Sequence, residues 1–105
     1  MNGTEKQISW AEQIKESAIR KNEKSMSEAQ KRYAHEGAAG KKLYDLRVMT
    51  YNVIREGFEN LVNASDVIDN RDNLTLAVAK MNASKFDKKM LQSVFDKPSD
   101  FFQWI

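Results

Sequence analysis

Few residues of this chain can do acid–base, nucleophilic or metal chemistry. The 105 residues include one histidine, His35, and no cysteine, which excludes thiolate nucleophiles and zinc–thiolate sites. His35 falls near the predicted end of a helix, where a cation interacts favourably with the helix dipole. The pairs Asp66/Asp69 and Asp69/Asp72 have the spacing of ordinary acidic residues in a first helical turn. This inventory predicts that the protein is not an enzyme and has no catalytic, cofactor-binding or metal-binding residue.

The basic first half of the chain is the second feature with chemical consequences. Nine Lys or Arg and five Asp or Glu lie between Lys15 and Arg47. Because Glu16, Glu23 and Glu28 interleave with the cations, the sequence favours a solvated helix face with a weak net field. The alternative is a stripe that contacts the phosphates of a nucleic acid. Its candidate contacts are Arg20, Lys21, Lys24, Lys31 and Arg32.

Aromatic side chains supply the candidates for protein contact. The last five residues include four large apolar ones, and such a tail cannot remain solvated without exposing an apolar patch. We therefore expect the tail to pack on the fold or to form a docking surface. The candidate protein contacts are Trp10, Phe101, Phe102 and Trp104. The alternative for both tryptophans is a role as core anchors.

A long helix is expected to carry Trp10 and the basic residues. Thr4 and Gln7 form a T-x-x-Q capping box, and apolar residues recur behind it at helical spacing. The pattern predicts a helix over residues 4–35. The polar stretch over residues 22–27 allows a break within it.

Glycines separate this helix from a second one. The run Gly37–Gly40 breaks the helical pattern, and Gly37 is placed as the C-cap of the first helix. The second helix is predicted over residues 41–63. It contains Gly57, which weakens the helix but permits another helix to approach closely.

Shorter helices are predicted in the remainder of the chain. A third helix begins at Ser65 or, because Asn70–Asn73 resembles a turn, near Asp72. An S-x-x-D cap at Ser84–Asp87 starts a fourth helix, which Pro98 ends. The sequence predicts an all-α fold: an antiparallel bundle of about four helices in one domain, with a long N-terminal helix and a short aromatic C-terminal segment.

The apolar residues of the sequence are not grouped as they are in a signal peptide or a membrane span. No apolar run follows Met1, and no stretch approaches the ~18 apolar residues of a membrane span. We therefore expect no signal peptide, no membrane partner and a cytoplasmic location.

The run from Gly3 to Ile14, which reads G-T-E-K-Q-I-S-W-A-E-Q-I, carries a resemblance to a known family. It resembles a segment of small helical proteins encoded by Gram-positive phages, plasmids and integrative elements. Many of these end with an Asp, an aromatic pair and Trp-Ile, to which residues 100–105 are similar. The resemblance implies a phage or mobile-element origin and the cytoplasm of a bacterial host. It implies no biochemical activity.

Small size, the lack of catalytic groups and the apolar tail together favour an interaction protein. The expected function is a non-enzymatic helical module that binds and modulates, or inhibits, a host or element protein such as a defence or replication factor. Binding of nucleic acid through the first helix is the alternative. Pairing of the first helix between two copies is a weaker, third hypothesis.

Overall fold

The fold is all-α, as the sequence predicts. The computed structural model describes residues 1–33 and 37–105, so the last two residues of the predicted first helix, of which His35 is one, lie outside the described residues. The helices of the described residues are α1 (Glu5–Tyr33), α2 (Ala38–Glu59), α3 (Ala64–Asp69), α4 (Leu74–Met81), α5 (Lys88–Gln92) and α6 (Pro98–Trp104). Short 3₁₀ turns precede α4 and follow it.

The first two helices form an antiparallel hairpin about which the shorter helices are arranged. Asn22 on α1 donates a side-chain hydrogen bond to the carbonyl of Tyr51 on α2, at 3.4 Å. At the other end, the backbone N–H of Asn2 donates to the carbonyl of Val62, at 2.6 Å. Helix α3 packs mainly on α1, and α4 packs mainly on α2. The molecule is elongated, measuring 50 × 27 × 19 Å, because α1 sets its long dimension.

The capping box at the start of α1 is confirmed. The Thr4 hydroxyl accepts a hydrogen bond from the Gln7 N–H at 3.2 Å, and the Gln7 amide oxygen accepts one from the Thr4 N–H at 3.0 Å. Two of the N–H groups that a helix start leaves without partners are satisfied in this way. The single long helix is confirmed over Glu5–Tyr33, and the break that the sequence allows over residues 22–27 does not occur.

The core lies where α2 meets the other helices. Helix α2 supplies large buried side chains, whereas the fully buried residues of α1 are alanines. Small side chains let the α1 backbone approach its neighbours closely. Phe86 and Phe101, which are 4% and 1% exposed, belong to the same core cluster.

Gly57 has the role that the sequence predicts for it. A Cβ atom built on Gly57 would lie 2.3 Å from Cγ1 of Val78 on α4. Helix α4 therefore crosses α2 at a point where only a glycine leaves enough room. The bounds of α2 differ from the prediction: α2 begins at Ala38 and ends at Glu59, and Gly37 precedes its first residue as an N-cap.

The helices in the second half of the chain begin at other residues than the sequence predicts. The predicted helix start at Ser84 is wrong, because Ser84 lies in a 3₁₀ turn and Asp87 itself caps α5. Its carboxylate accepts from the N–H groups of Lys89 and Met90 at 3.0 and 3.2 Å. Pro98 does not end a helix but begins α6, since a missing N–H costs nothing in a first helical turn.

Candidate interaction surface on the first helix

The buried face of α1 fixes which side chains point outward. Ala11, Ala18 and Ala29 are 0%, 8% and 5% exposed. They are seven and eleven residues apart, which is close to two and three helical turns, so they form one line along the helix. All other positions of α1 are fixed relative to this line by a rotation of about 100° per residue.

The charged residues of α1 separate onto two flanks of its exposed side. The basic flank comprises Lys6, Arg20, Lys21, Lys24, Lys31 and Arg32, and the acidic flank comprises Glu5, Glu12, Glu16 and Glu23; all ten are exposed. The interleaving seen along the sequence is therefore not an interleaving in space. Successive residues point in directions about 100° apart, so charges that alternate in the sequence can lie on different sides.

Ion pairing along α1 is weak. Glu28 is the one acidic residue on the basic flank within the described part of α1, and its carboxylate lies 3.9 Å from the Lys24 ammonium. Arg20 lies 3.7 Å from Glu16, across the boundary between the flanks. The four side chains are 68–77% exposed, and pairs of this kind contribute roughly 0–1 kcal/mol. The cations of the basic flank therefore stay accessible to a charged partner.

A groove runs beside the basic flank, between α1 and the start of α4. Its volume is about 370 Å³. From α1 it is lined by Trp10, Gln13, Ser17 and Lys21, and from the other wall by Arg71, Asp72, Asn73 and Thr75, with Ile14, Ala18 and Leu74 at its floor. Trp10 is 48% exposed, so part of a large aromatic ring that lines this groove is accessible to a partner.

Arg71 is the functional candidate that sequence reasoning missed. Its guanidinium carbon lies 5.4 Å from the centre of the Trp10 ring, within range of a cation–π contact. One guanidinium nitrogen donates to the Ile68 carbonyl at 2.9 Å, which holds the side chain in place. No local pattern links Arg71 to Trp10, because packing of α3 on α1 alone brings them together.

The aromatic tail packs on the bundle. Phe101 is 1% exposed and meets the Phe86 ring edge-on at 4.9 Å, so in this conformation it has no surface to offer a partner. Phe102 and Trp104 are half-buried. The Arg47 guanidinium carbon lies 3.8 Å above the Trp104 ring, and burial lowers the pKa of this arginine, although the nearby Tyr33 opposes the shift.

The acidic flank makes a polar contact with α2. The Tyr51 hydroxyl donates a 2.5 Å hydrogen bond to a carboxylate oxygen of Glu23. This bond raises the pKa of Tyr51 above its ordinary value; burial and the charge of Glu23 act in the same direction, and Arg55 opposes them. Glu23 is thereby tied to the bundle, whereas Glu12 and Glu16 border a shallow groove beside Val62.

The described residues contain neither a cluster that could bind a metal ion nor a helix that could span a membrane. Within residues 1–33 and 37–105, no three His, Cys, Asp or Glu side chains come together in a way that could hold a metal ion. None of the helices in these ranges has the length and apolar character needed to cross a membrane. Comparison of the chain with family models, curated proteins and solved structures found no match.

Proposed function

We propose that this protein is a non-enzymatic interaction module of phage or mobile-element type, which binds and modulates a host or element protein. The observation that supports the proposal is the exposed Trp10 ring, which lies beside Arg71 in a groove that Lys21 lines further along α1. Tryptophan and arginine are the residues most enriched in binding hot spots. The proposal places the protein in the cytoplasm of a bacterial host, in keeping with the resemblance of its N-terminus to phage and plasmid proteins.

The chemistry of the groove indicates what the partner surface offers. An apolar side chain would cover the Trp10 ring, one carboxylate beside it would meet Arg71, and a second, three helical turns further along α1, would meet Lys21. Such a partner has an apolar centre and a polar rim, which is the usual composition of a protein interface. Defence and replication factors are candidate partners by analogy alone.

Two features favour a protein over a nucleic acid on this surface. The basic flank is not continuous, because Glu28 interrupts it and Asp72 lines the adjoining groove. The formal net charge of the whole chain is only +2, so the long-range field that gathers a polyanion is weak.

The test compares variants in a binding assay that reports on Trp10 itself. The protein is labelled with 5-fluorotryptophan and added to fractions of a Gram-positive host lysate, and the fluorine resonance of each tryptophan is followed. A partner that uses the groove broadens or shifts the Trp10 resonance and leaves the Trp104 resonance in place. In the Lys21→Glu, Arg71→Glu variant the partner should no longer bind, and the Trp10 resonance should stay unchanged when the lysate fraction is added.

The matched control carries the same change in net charge at two exposed lysines of α2, in the Lys41→Glu, Lys42→Glu variant. This control should bind the partner as the wild type does, with the same change in the Trp10 resonance. Equal loss in both variants would mean that only overall charge matters and would refute a defined groove. A partner that moves the Trp104 resonance alone would place the contact elsewhere on the molecule.

Binding of single-stranded nucleic acid is the second candidate, and the separation of charge on α1 favours it. Lys24 and Lys31 lie about two turns apart on the basic flank, and Trp10 provides a ring on which a base can stack. Fluorescence anisotropy with labelled single strands and duplexes tests this function. Each phosphate contact should contribute about −0.7 to the slope of log affinity against log salt for a single strand.

Charge reversal on the basic flank distinguishes the second candidate from ordinary charge attraction. The Lys24→Glu, Lys31→Glu variant should lose binding to the single strand, whereas the Lys41→Glu, Lys42→Glu variant should keep most of it. If neither oligonucleotide binds at low salt, the nucleic-acid function is rejected. The proposal for this surface is then a protein partner alone.

A further inference from the structure

A second cavity lies between α5 and α6, far along the chain from the Trp10 groove, with which it shares no residue. Its volume is about 400 Å³, within the range of about 300–1,000 Å³ that is usual for ligand clefts. Its lining is mainly apolar and is formed by Phe86, Leu91, Phe95, Phe101 and Phe102. Phe86 and Phe101 are buried, and the other three are half-buried. The cleft thus leaves apolar surface in water that a ligand could cover.

Aromatic contacts fix the shape of this cleft. The Phe86 and Phe101 rings meet edge-on at 4.9 Å, and the Phe95 and Phe101 rings lie 5.8 Å apart. Helix α6, which forms one wall, is held by the stacking of Arg47 on Trp104. These contacts give the cleft a defined shape, which is typical of small-molecule sites.

The mouth of the cleft is polar and carries a net positive charge. Lys88 and Lys97 border it, together with a single carboxylate from Asp96 and the amide of Gln92. In the part of the chain that the structure describes, neither lysine forms an ion pair within 4 Å. An anionic group that enters above the apolar floor would meet two ammonium groups on the rim.

We propose that this cleft binds a small amphiphilic anion, namely an aliphatic chain or ring that carries one carboxylate. The apolar part lies among the phenylalanine rings, and the carboxylate lies at the mouth beside Lys88 and Lys97. The site is independent of the proposed protein partner, because it uses a different part of the surface. No bond is made or broken in this binding step.

The experiment compares two probes whose alkyl chains differ by only one methylene group and whose charges are opposite. Decanoate and decyltrimethylammonium are titrated into the protein by calorimetry, each below the concentration at which it forms micelles. A Trp10→Phe background leaves Trp104 as the only tryptophan, so its emission reports on α6 during the same titration. Decanoate should bind and change the Trp104 emission, and the cation should bind about tenfold more weakly, a modest preference because both ammonium groups are exposed to solvent.

Variants place the bound anion in the cleft. The Lys88→Glu, Lys97→Glu variant should lose the preference for decanoate, whereas the Lys41→Glu, Lys42→Glu variant, with the same net charge, should keep it. The Ala83→Phe variant places a ring at an exposed position of the lining and should abolish binding without disturbing the core.

Four outcomes overturn the proposal. Lack of heat and of any emission change rejects the ligand. Equal affinity for the two probes shows that the mouth does not select charge. Binding that survives Ala83→Phe lies outside the cleft. Light scattering that finds a dimer in the wild type and a monomer in Ala83→Phe shows that a second copy of the chain fills the cleft instead.

Discussion

The close approach of α4 to α2 at Gly57 predicts that adding one methyl group will destabilise the fold. In the Gly57→Ala variant the new Cβ would lie 2.3 Å from Cγ1 of Val78 and 2.8 Å from the amide nitrogen of Asn82. Val78 is fully buried, and a β-branched side chain within a helix has one strongly preferred rotamer. The helices must therefore move apart, because the valine cannot turn away.

Opposing contributions set the magnitude of this change. Overpacking of a core costs about 1–3 kcal/mol. Displacing Asn82, whose amide donates to the Val78 carbonyl at 2.9 Å, costs about 1 kcal/mol more. Replacing a glycine by alanine within a helix recovers about 1 kcal/mol. The free energy of unfolding should fall by about 1–3 kcal/mol, which lowers the melting temperature by roughly 5–20 °C in a domain of this size.

Thermal and urea unfolding, followed by circular dichroism, measure this change. Gly37→Ala is the control, because a Cβ on Gly37 meets nothing within 4 Å; its stability should change by less than about 1 kcal/mol, as the N-cap preference alone is affected. In the double variant Gly57→Ala, Val78→Ala the two changes should be non-additive by at least about 1 kcal/mol, since the second removes the clashing atom. A Gly57→Ala variant as stable as the wild type would refute the tight helix crossing.

Further predictions concern the start of α1, its contact with α2 and the attachment of α6. Thr4→Ala removes a capping acceptor and should lower the free energy of unfolding by about 1 kcal/mol in urea titrations; no change would mean that the cap frays in solution. Because the Tyr51 pKa is raised in the folded state, the contact with Glu23 should stabilise the fold below about pH 10 and lose this effect as the pH rises through the raised value. Tyr51→Phe should therefore flatten the alkaline loss of stability, and an unchanged profile would contradict this. Arg47→Ala removes the cation stacked on Trp104, a contact of about 0.5–2 kcal/mol. Amide hydrogen exchange in α6 should become faster in this variant than in the wild type, while exchange in α1 stays the same. Unchanged exchange rates in α6 would show that other contacts hold this helix.

Features that depend on neighbouring residues could be predicted from the sequence. The capping box at Thr4 involves hydrogen bonds over three residues, and helical periodicity is a property of each segment alone. The separation of charges on α1 was also encoded in the sequence. The order of charges along the chain does not show this separation, because a helix rotates by about 100° per residue and places neighbouring residues on different sides.

Boundaries after residue 63 could not be predicted with the same success. Ser84, Asp87 and Pro98 are each compatible with a helix start, so local signals left several choices. In the structure α5 begins after Asp87 and α6 begins at Pro98. These starts are compatible with the contact between Phe86 and Phe101 in the core. Local preferences of this kind differ by about 1 kcal/mol, and the burial of two phenylalanine side chains outweighs them.

By itself the sequence determined that the chain is helical, where its longest helix begins and that few groups able to do chemistry are present. Only the tertiary structure decided that Trp10 remains exposed, that Arg71 lies beside it and that Phe101 is buried. The physical reason is the distance along the chain over which each interaction acts. Hydrogen bonds and rotation within a helix act between residues a few positions apart, whereas burial depends on which distant segments pack together.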